Sequence, residues 1–135
     1  MRTNGTWVLT AVAGFVLGAG ITQVIRAQAQ KTAPAYLIAE VAPDPAKTAD
    51  RAAARRYAEE APKSLVPFNG QYVVRGGTVE TLEGEPPKGY IVVIGFDSME
   101  KARAWYSSAA YQAVKPIRQR STKSRLLLVE GVPPS

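Results

Sequence analysis

From Ala35 onward the apolar and polar positions fall into short runs punctuated by Gly and Pro, and these runs predict strands alternating with helices. Ala35–Ala42 (AYLIAEVA) reads as a strand ended by Pro43-Asp44-Pro45. Ala46–Ala61 reads as a helix capped by Asp44, opened by Pro45 and ended by Pro62. Ala49, Ala53, Arg56, Tyr57 and Glu60 lie along one side of it, a shallow face suited to close packing on a sheet. Gln71–Arg75 (QYVVR) is a second strand, closed by Gly76-Gly77. Thr78–Leu82 (TVETL) reads as a further short strand, with the glycine pair supplying a turn or bulge. Tyr90–Phe96 (YIVVIGF) is the clearest strand, reached through a proline-containing loop. Asp97 or Ser98 then caps a long helical segment. Ala102, Trp105, Tyr106 and Ala109 carry the i, i+3, i+4, i+7 spacing of a buried stripe. Ser107–Ala110 loosens this helix, Tyr111, Val114 and Ile117 restart the stripe, and Pro116 is expected to kink it. Arg125–Val129 (RLLLV) is the last strand.

This order is that of a ferredoxin-like βαββαβ fold of the α+β class, with one extra short strand and both helices on one face of an antiparallel sheet. Tyr90–Ile94 and Leu126–Val129 are apolar at every position instead of alternating, so both sheet faces should be buried. Two helices cover one face. A second copy of the chain is the simplest cover for the other, and a homodimer is expected.

The first 29 residues are of another kind. Arg2 and Arg26 are their only charges, Trp7–Ile21 is an uncharged apolar run, and Ala27-Gln28-Ala29 fits the small-x-small cleavage rule. Residues 1–29 therefore read as an export signal, and 30–135 as one domain bound for a bacterial periplasm. The alternative is an uncleaved anchor holding the domain at the inner membrane, since Trp7–Ile25 just reaches spanning length. Membrane contact is expected only in that second case. Of 17 Lys and Arg, two precede Gln30, which leaves a modest +4 against 11 Asp and Glu. Glu80, Glu83 and Glu85 form an acidic patch; Lys115, Arg118, Arg120, Lys123 and Arg125 form a basic one, read as a solvated helix end. No aromatics interleave with these cations, and nucleic-acid binding is not expected.

Gly70-x-Tyr72-x-x-Arg75-Gly76-Gly77, Leu82-Glu83-Gly84, Val92-Val93-Ile94-x-Phe96, Ala104-Trp105-Tyr106-x-Ser108-x-x-Tyr111, Arg118 and Val129-Glu130-Gly131 occur in that order. In these motifs Ala35–Gly131 resembles the bacterial domain-of-unknown-function family 1330. The resemblance implies a dimeric α+β barrel. That wider group includes cofactor-free monooxygenases, haem-degrading enzymes and chlorite-dismutase-like proteins beside members without an assigned activity. Two positions depart from the family pattern: Gly95 stands where an acidic residue is usual, and Asn69 replaces the first glycine of a Gly-Gly pair.

The chain contains no Cys and no His. Disulfides, zinc-thiolate sites, thiol nucleophiles, histidine bases and axial-histidine haem are thereby removed, and neither a metal nor a cofactor is expected. Arg75, at a strand end, and Arg118 are candidates for holding a ligand carboxylate. Trp105, Tyr106 and Tyr111 read either as core or as the wall of a ligand pocket. Asp97 reads as a helix cap. Glu130 is the candidate general base, effective only if burial raises its pKa. Two functions follow. One is a small homodimeric module binding a small acidic or aromatic organic ligand in an apolar cleft. The other is a cofactor-free enzyme, monooxygenase- or isomerase-like, using Tyr and Glu for proton transfer.

Overall fold

The structure, a computed structural model, describes residues 32–46 and 50–135. The export-signal reading lies outside the described residues. Four strands form the sheet: β1 (Ala35–Pro43), β2 (Gln71–Arg75), β3 (Tyr90–Phe96) and β4 (Thr122–Glu130). Their order is β2-β3-β1-β4, antiparallel throughout, and the sheet is not closed. Three helices cover one face: α1 (Arg51–Leu65), α2 (Met99–Ser107) and α3 (Ala109–Ser121). This is the ferredoxin-like α+β arrangement that the alternation of runs predicts. No helix among the described residues is long and apolar enough to cross a membrane.

Alternation along the strands sorts the side chains between the two faces. Ala35, Leu37, Ala39 and Val41 of β1 and Ile94 and Phe96 of β3 are buried under the helices. Ile38 faces Val93 on one side and Leu127 on the other; Tyr36 likewise faces Gly95 and Val129. These residues line the outer face, which no described element covers, and Leu127 and Val129 are each 43% exposed there. The core joins Leu37, Leu65, Phe96, Trp105, Tyr111 and Ile117.

Several local expectations are revised. Thr78–Leu82 forms no strand and runs through an exposed loop, with no neighbouring strand among the described residues to pair it. Helix α1 begins at Arg51, because Asp50 provides the cap, accepting from the Ala53 N–H at 2.9 Å. Asp44 is occupied in a turn of its own, accepting from the Ala46 N–H. Pro62 does not end α1, which runs on to Leu65 and then into a 3-10 turn, Val66–Phe68. The long helical segment breaks at Ser108, inside the Ser107–Ala110 stretch expected to loosen it, and continues through Pro116. There the Ser108 hydroxyl accepts from the Tyr111 N–H and donates to the Trp105 carbonyl at 2.7 Å, capping α3 and closing α2 together. Pro116 lies inside α3. Tyr106 and Ala109 consequently leave the stripe and stand exposed. Asn69 adopts φ 53°, the left-handed conformation that a glycine would otherwise provide, and its amide donates to Asp97. Ser98 is the α2 cap, whereas Asp97 also pairs with Lys101.

Candidate functional site

A cleft of about 210 Å³ opens between the sheet and the pair α1–α3. Its floor is Leu37, Ala39 and Val41 of β1, Val92 and Ile94 of β3, and Leu126 of β4. Its roof is Ala54, Tyr57 and Ala58 of α1 with Tyr111, Arg118 and Ser121 of α3. Ala39, Ala54 and Ala58 face one another across it, so small side chains leave the space open. Trp105 closes the inner end. Its indole donates to Ser64 Oγ at 2.9 Å, Ser64 donates in turn to the Ala61 carbonyl, and the Trp105 and Tyr111 rings lie 4.0 Å apart. A wall tied down in this way holds the shape of the cleft without a ligand.

Two Tyr–Arg pairs face the cleft from opposite sides. Tyr72 and Arg75 belong to β2 and are three residues apart, so strict alternation would place them on opposite faces. A bulge prevents this: Tyr72 pairs with Ile94, but Val74 pairs with Val93 and Arg75 with Val92. The extra residue, Val73, is turned out to the other face, and both Tyr72 and Arg75 reach the cleft. The Arg75 guanidinium lies 4.6 Å from the centre of the Tyr72 ring and donates to the Ala58 carbonyl at 3.1 Å. That carbonyl is four residues before Pro62. The proline has no N–H to bond it, which leaves the acceptor for Arg75. Arg75 is thus an exposed mouth residue with one donor already engaged.

Arg118 is different. It occupies the buried stripe of α3 with Tyr111, Val114 and Ile117, and only 8% of it is exposed. Its Nε has no hydrogen-bond partner among the described residues. The basic cluster read as a solvated helix end therefore loses one member to the interior, while Arg120, Lys123 and Arg125 stay exposed. Burial, reinforced by the neighbouring Tyr111, holds the Tyr57 hydroxyl protonated far above its ordinary range, against the nearby Arg118 charge. Burial also raises Tyr72, partly countered by Arg75. No carboxylate among the described residues lines the cavity. An apolar chamber with guanidinium and phenol donors calls for a ligand that supplies the acceptors and the negative charge.

Of the candidate residues, Arg75, Trp105, Tyr111 and Arg118 meet in this cleft. Tyr106 does not; it stacks outside on Tyr111, under Lys115. Glu130 stands exposed at the far end of β4, paired opposite Ala35. That is four residues, roughly 13 Å along the strand, from the cleft residue Leu126. Tyr57 and Tyr72 are the cleft-lining side chains that sequence reasoning left out of the site. The signal for Tyr57 was its position four residues from Ala53 and from Ala61 on the packed side of α1. Gly95 lies on the outer face, where an added Cβ would sit 3.3 Å from Val73 Cγ2. Its departure from the family pattern therefore leaves the cleft untouched.

A family model described as "Domain of unknown function (DUF1330)" matches residues 34–132. The chain belongs to the DUF1330 family. No curated protein matches it. Among solved structures, a protein of unknown function from Rhodopseudomonas palustris is similar at 19% identity and a TM-score of 0.57, over 76% of this chain and 85% of that one. A dimeric ferredoxin-like protein of unknown function from Thermobifida fusca matches at 14% identity and 0.51, over 74% and 92% of the two chains. SnoaB, a cofactor-independent oxygenase from Streptomyces nogalater, matches at 8% identity and 0.51, over 76% and 97%. At these identities the likeness is one of fold. This DUF1330 chain shares the ferredoxin-like α+β scaffold with all three.

Proposed function

We propose that this protein is an exported homodimer that binds a small monocyclic organic acid between its sheet and its helices, with Arg118 as the partner of the ligand's carboxylate. The observation that carries the reading is a buried arginine whose Nε has no partner among the described residues, set in a cleft that none of their acidic side chains lines. A buried guanidinium with an unsatisfied donor is costly, and a ligand anion is the natural compensation. Size favours one ring: an apolar cavity of about 150 Å³ accepts benzene, and about 210 Å³ adds room for a substituent. The dimer is supported by the apolar outer face, where Tyr36, Ile38, Val93, Leu127 and Val129 form one patch, and export by the N-terminal pattern. A second reading, a cofactor-free enzyme, draws on the Tyr57–Tyr111 pair beside Arg118, which can hold an enolate or phenolate oxygen as well as a carboxylate.

Native mass spectrometry of the protein purified from its own cells tests the first reading. The expected species is two copies of 30–135 carrying one small acid per protomer. A monomer, or a dimer that takes up no benzoate on incubation, would overturn it.

A further inference from the structure

The cleft runs across the strands, and their register shows where its ends lie. Arg75 pairs opposite Val92, Val92 opposite Ala39, and Ala39 opposite Leu126, so one residue of each strand stands in a row from the β2 edge to the β4 edge. All four line the cleft. Three interstrand spacings make that row about 14 Å long between the outer backbones. Arg118 enters from α3 at the β4 end: with Thr122 and Leu126 it also borders the hollow outside that edge, beside Lys123 and Ser124. The cleft thus carries one guanidinium toward each end, with the apolar side chains of Val92, Ala39 and Leu126 between them.

Neither arginine forms an ion pair with another described residue. Arg118 is buried with its Nε unsatisfied, whereas Arg75 is exposed at the mouth and gives the Ala58 carbonyl one of the five N–H donors of its fork. A ligand with a single acid group on Arg118 leaves Arg75 unmatched. We propose that the cleft takes a linear dianion, an aromatic dicarboxylate with its acid groups at opposite ends of one ring, Arg118 holding the inner carboxylate and Arg75 the outer. This second contact rests on the reading of Arg118 given above and names the class of acid which that reading leaves open. The Ala58 carbonyl and the face of the Tyr72 ring already hold Arg75 over the mouth, so its fork has little freedom left to lose on binding. The volume agrees: about 210 Å³ takes the ring and the inner carboxylate, and the outer one lies in the open mouth. Carboxylates on adjacent ring carbons point to one end of the row and leave the other guanidinium unmatched.

The test is isothermal titration of the full-length protein with terephthalate, phthalate, benzoate and monomethyl terephthalate. Terephthalate should bind about fivefold more tightly than benzoate at low salt, the size of an ion pair at a partly exposed site, and high salt should remove most of that advantage. Phthalate should show no such advantage. Monomethyl terephthalate, of nearly the same length but without the second charge, should lose it on the unaltered protein, so the outcome does not hang on a variant that fails to fold. In Arg75→Gln the ratio of terephthalate to benzoate affinity should fall to about one. Terephthalate no tighter than benzoate, phthalate as tight as terephthalate, or a ratio that survives in Arg75→Gln would overturn the two-ended site and leave the single carboxylate site standing. A protein that takes up neither benzoate nor terephthalate would remove both.

Discussion

Replacing Arg118 with methionine should make the free protein more stable while it loosens the grip on an organic acid. Arg118 is 92% shielded from solvent and its Nε donates to nothing among the described residues. Folding therefore strips hydration from a guanidinium without full return. Exchanging buried charges for apolar groups of similar volume is commonly neutral or stabilising by about 1–4 kcal/mol. Taking about 1 kcal/mol, the low end, a domain of this size should gain roughly 4–8 °C in melting temperature. With ligand present the sign reverses. A hydrogen bond to a charged group contributes about 1.5–3 kcal/mol, so binding should weaken about 10- to 150-fold. Both quantities are accessible in one sample. Calorimetry gives the melting temperature of the free protein, and Trp105, at the cleft's inner end 4.0 Å from the Tyr111 ring, reports benzoate by its fluorescence. A melting temperature that falls by several degrees with benzoate affinity unchanged would refute the reasoning. Arg118 would then be a structural residue and the cleft would lack its anchor.

Other outcomes follow from individual contacts. Ser64→Ala removes the acceptor of the buried Trp105 indole and should cost about 1–3 kcal/mol in urea unfolding, with a shift in Trp emission. Gly89→Ala would place a Cβ 2.0 Å from the Val41 carbonyl oxygen, backbone that cannot rotate away. It should destabilise by about 3 kcal/mol, read as a lower denaturant midpoint, because β1 and β3 must part. At high pH the unfolded chain ionises its tyrosines near the ordinary 10.0, while folded Tyr57 keeps its proton. The unfolded state then binds fewer protons, so stability is full below pH 10 and falls above it, by up to about 1.4 kcal/mol per pH unit per such group. Tyr57→Phe should flatten that alkaline slope, as measured by urea titrations at several pH values.

The strands were the legible part of this chain because their signal is local. Tyr90–Phe96 and Gln71–Arg75 are strands over the expected residues, each set between turn-forming residues. The helix ends were less legible because they depend on partners far along the chain. Pro62 reads as a stop, yet the carbonyl it frees at Ala58 is taken by Arg75 from another strand, and α1 continues. The break at Ser108 is by contrast local and legible in the Ser107–Ala110 stretch, where the Ser108 hydroxyl caps α3 and closes α2, whereas Pro116 is carried inside α3. In the site, Arg118 could be read as a member of a basic run or as the next position of the Tyr111–Val114–Ile117 stripe. The fold decides for the stripe. Tyr72 and Arg75 share a face only through the bulge at Val73, and a two-residue period cannot foresee that. Thr78–Leu82 carries β-prone Thr78, Val79 and Thr81 but has no partner strand among the described residues, which local composition cannot reveal.

The most direct test of the account is isothermal titration of the dimeric protein with benzoate and with its uncharged analogue benzamide. The cleft offers donors and no carboxylate, so it should take benzoate at one site per protomer and bind benzamide at least about tenfold more weakly. Equal binding of the two, or benzoate heat that persists unchanged in Arg118→Met, would contradict it.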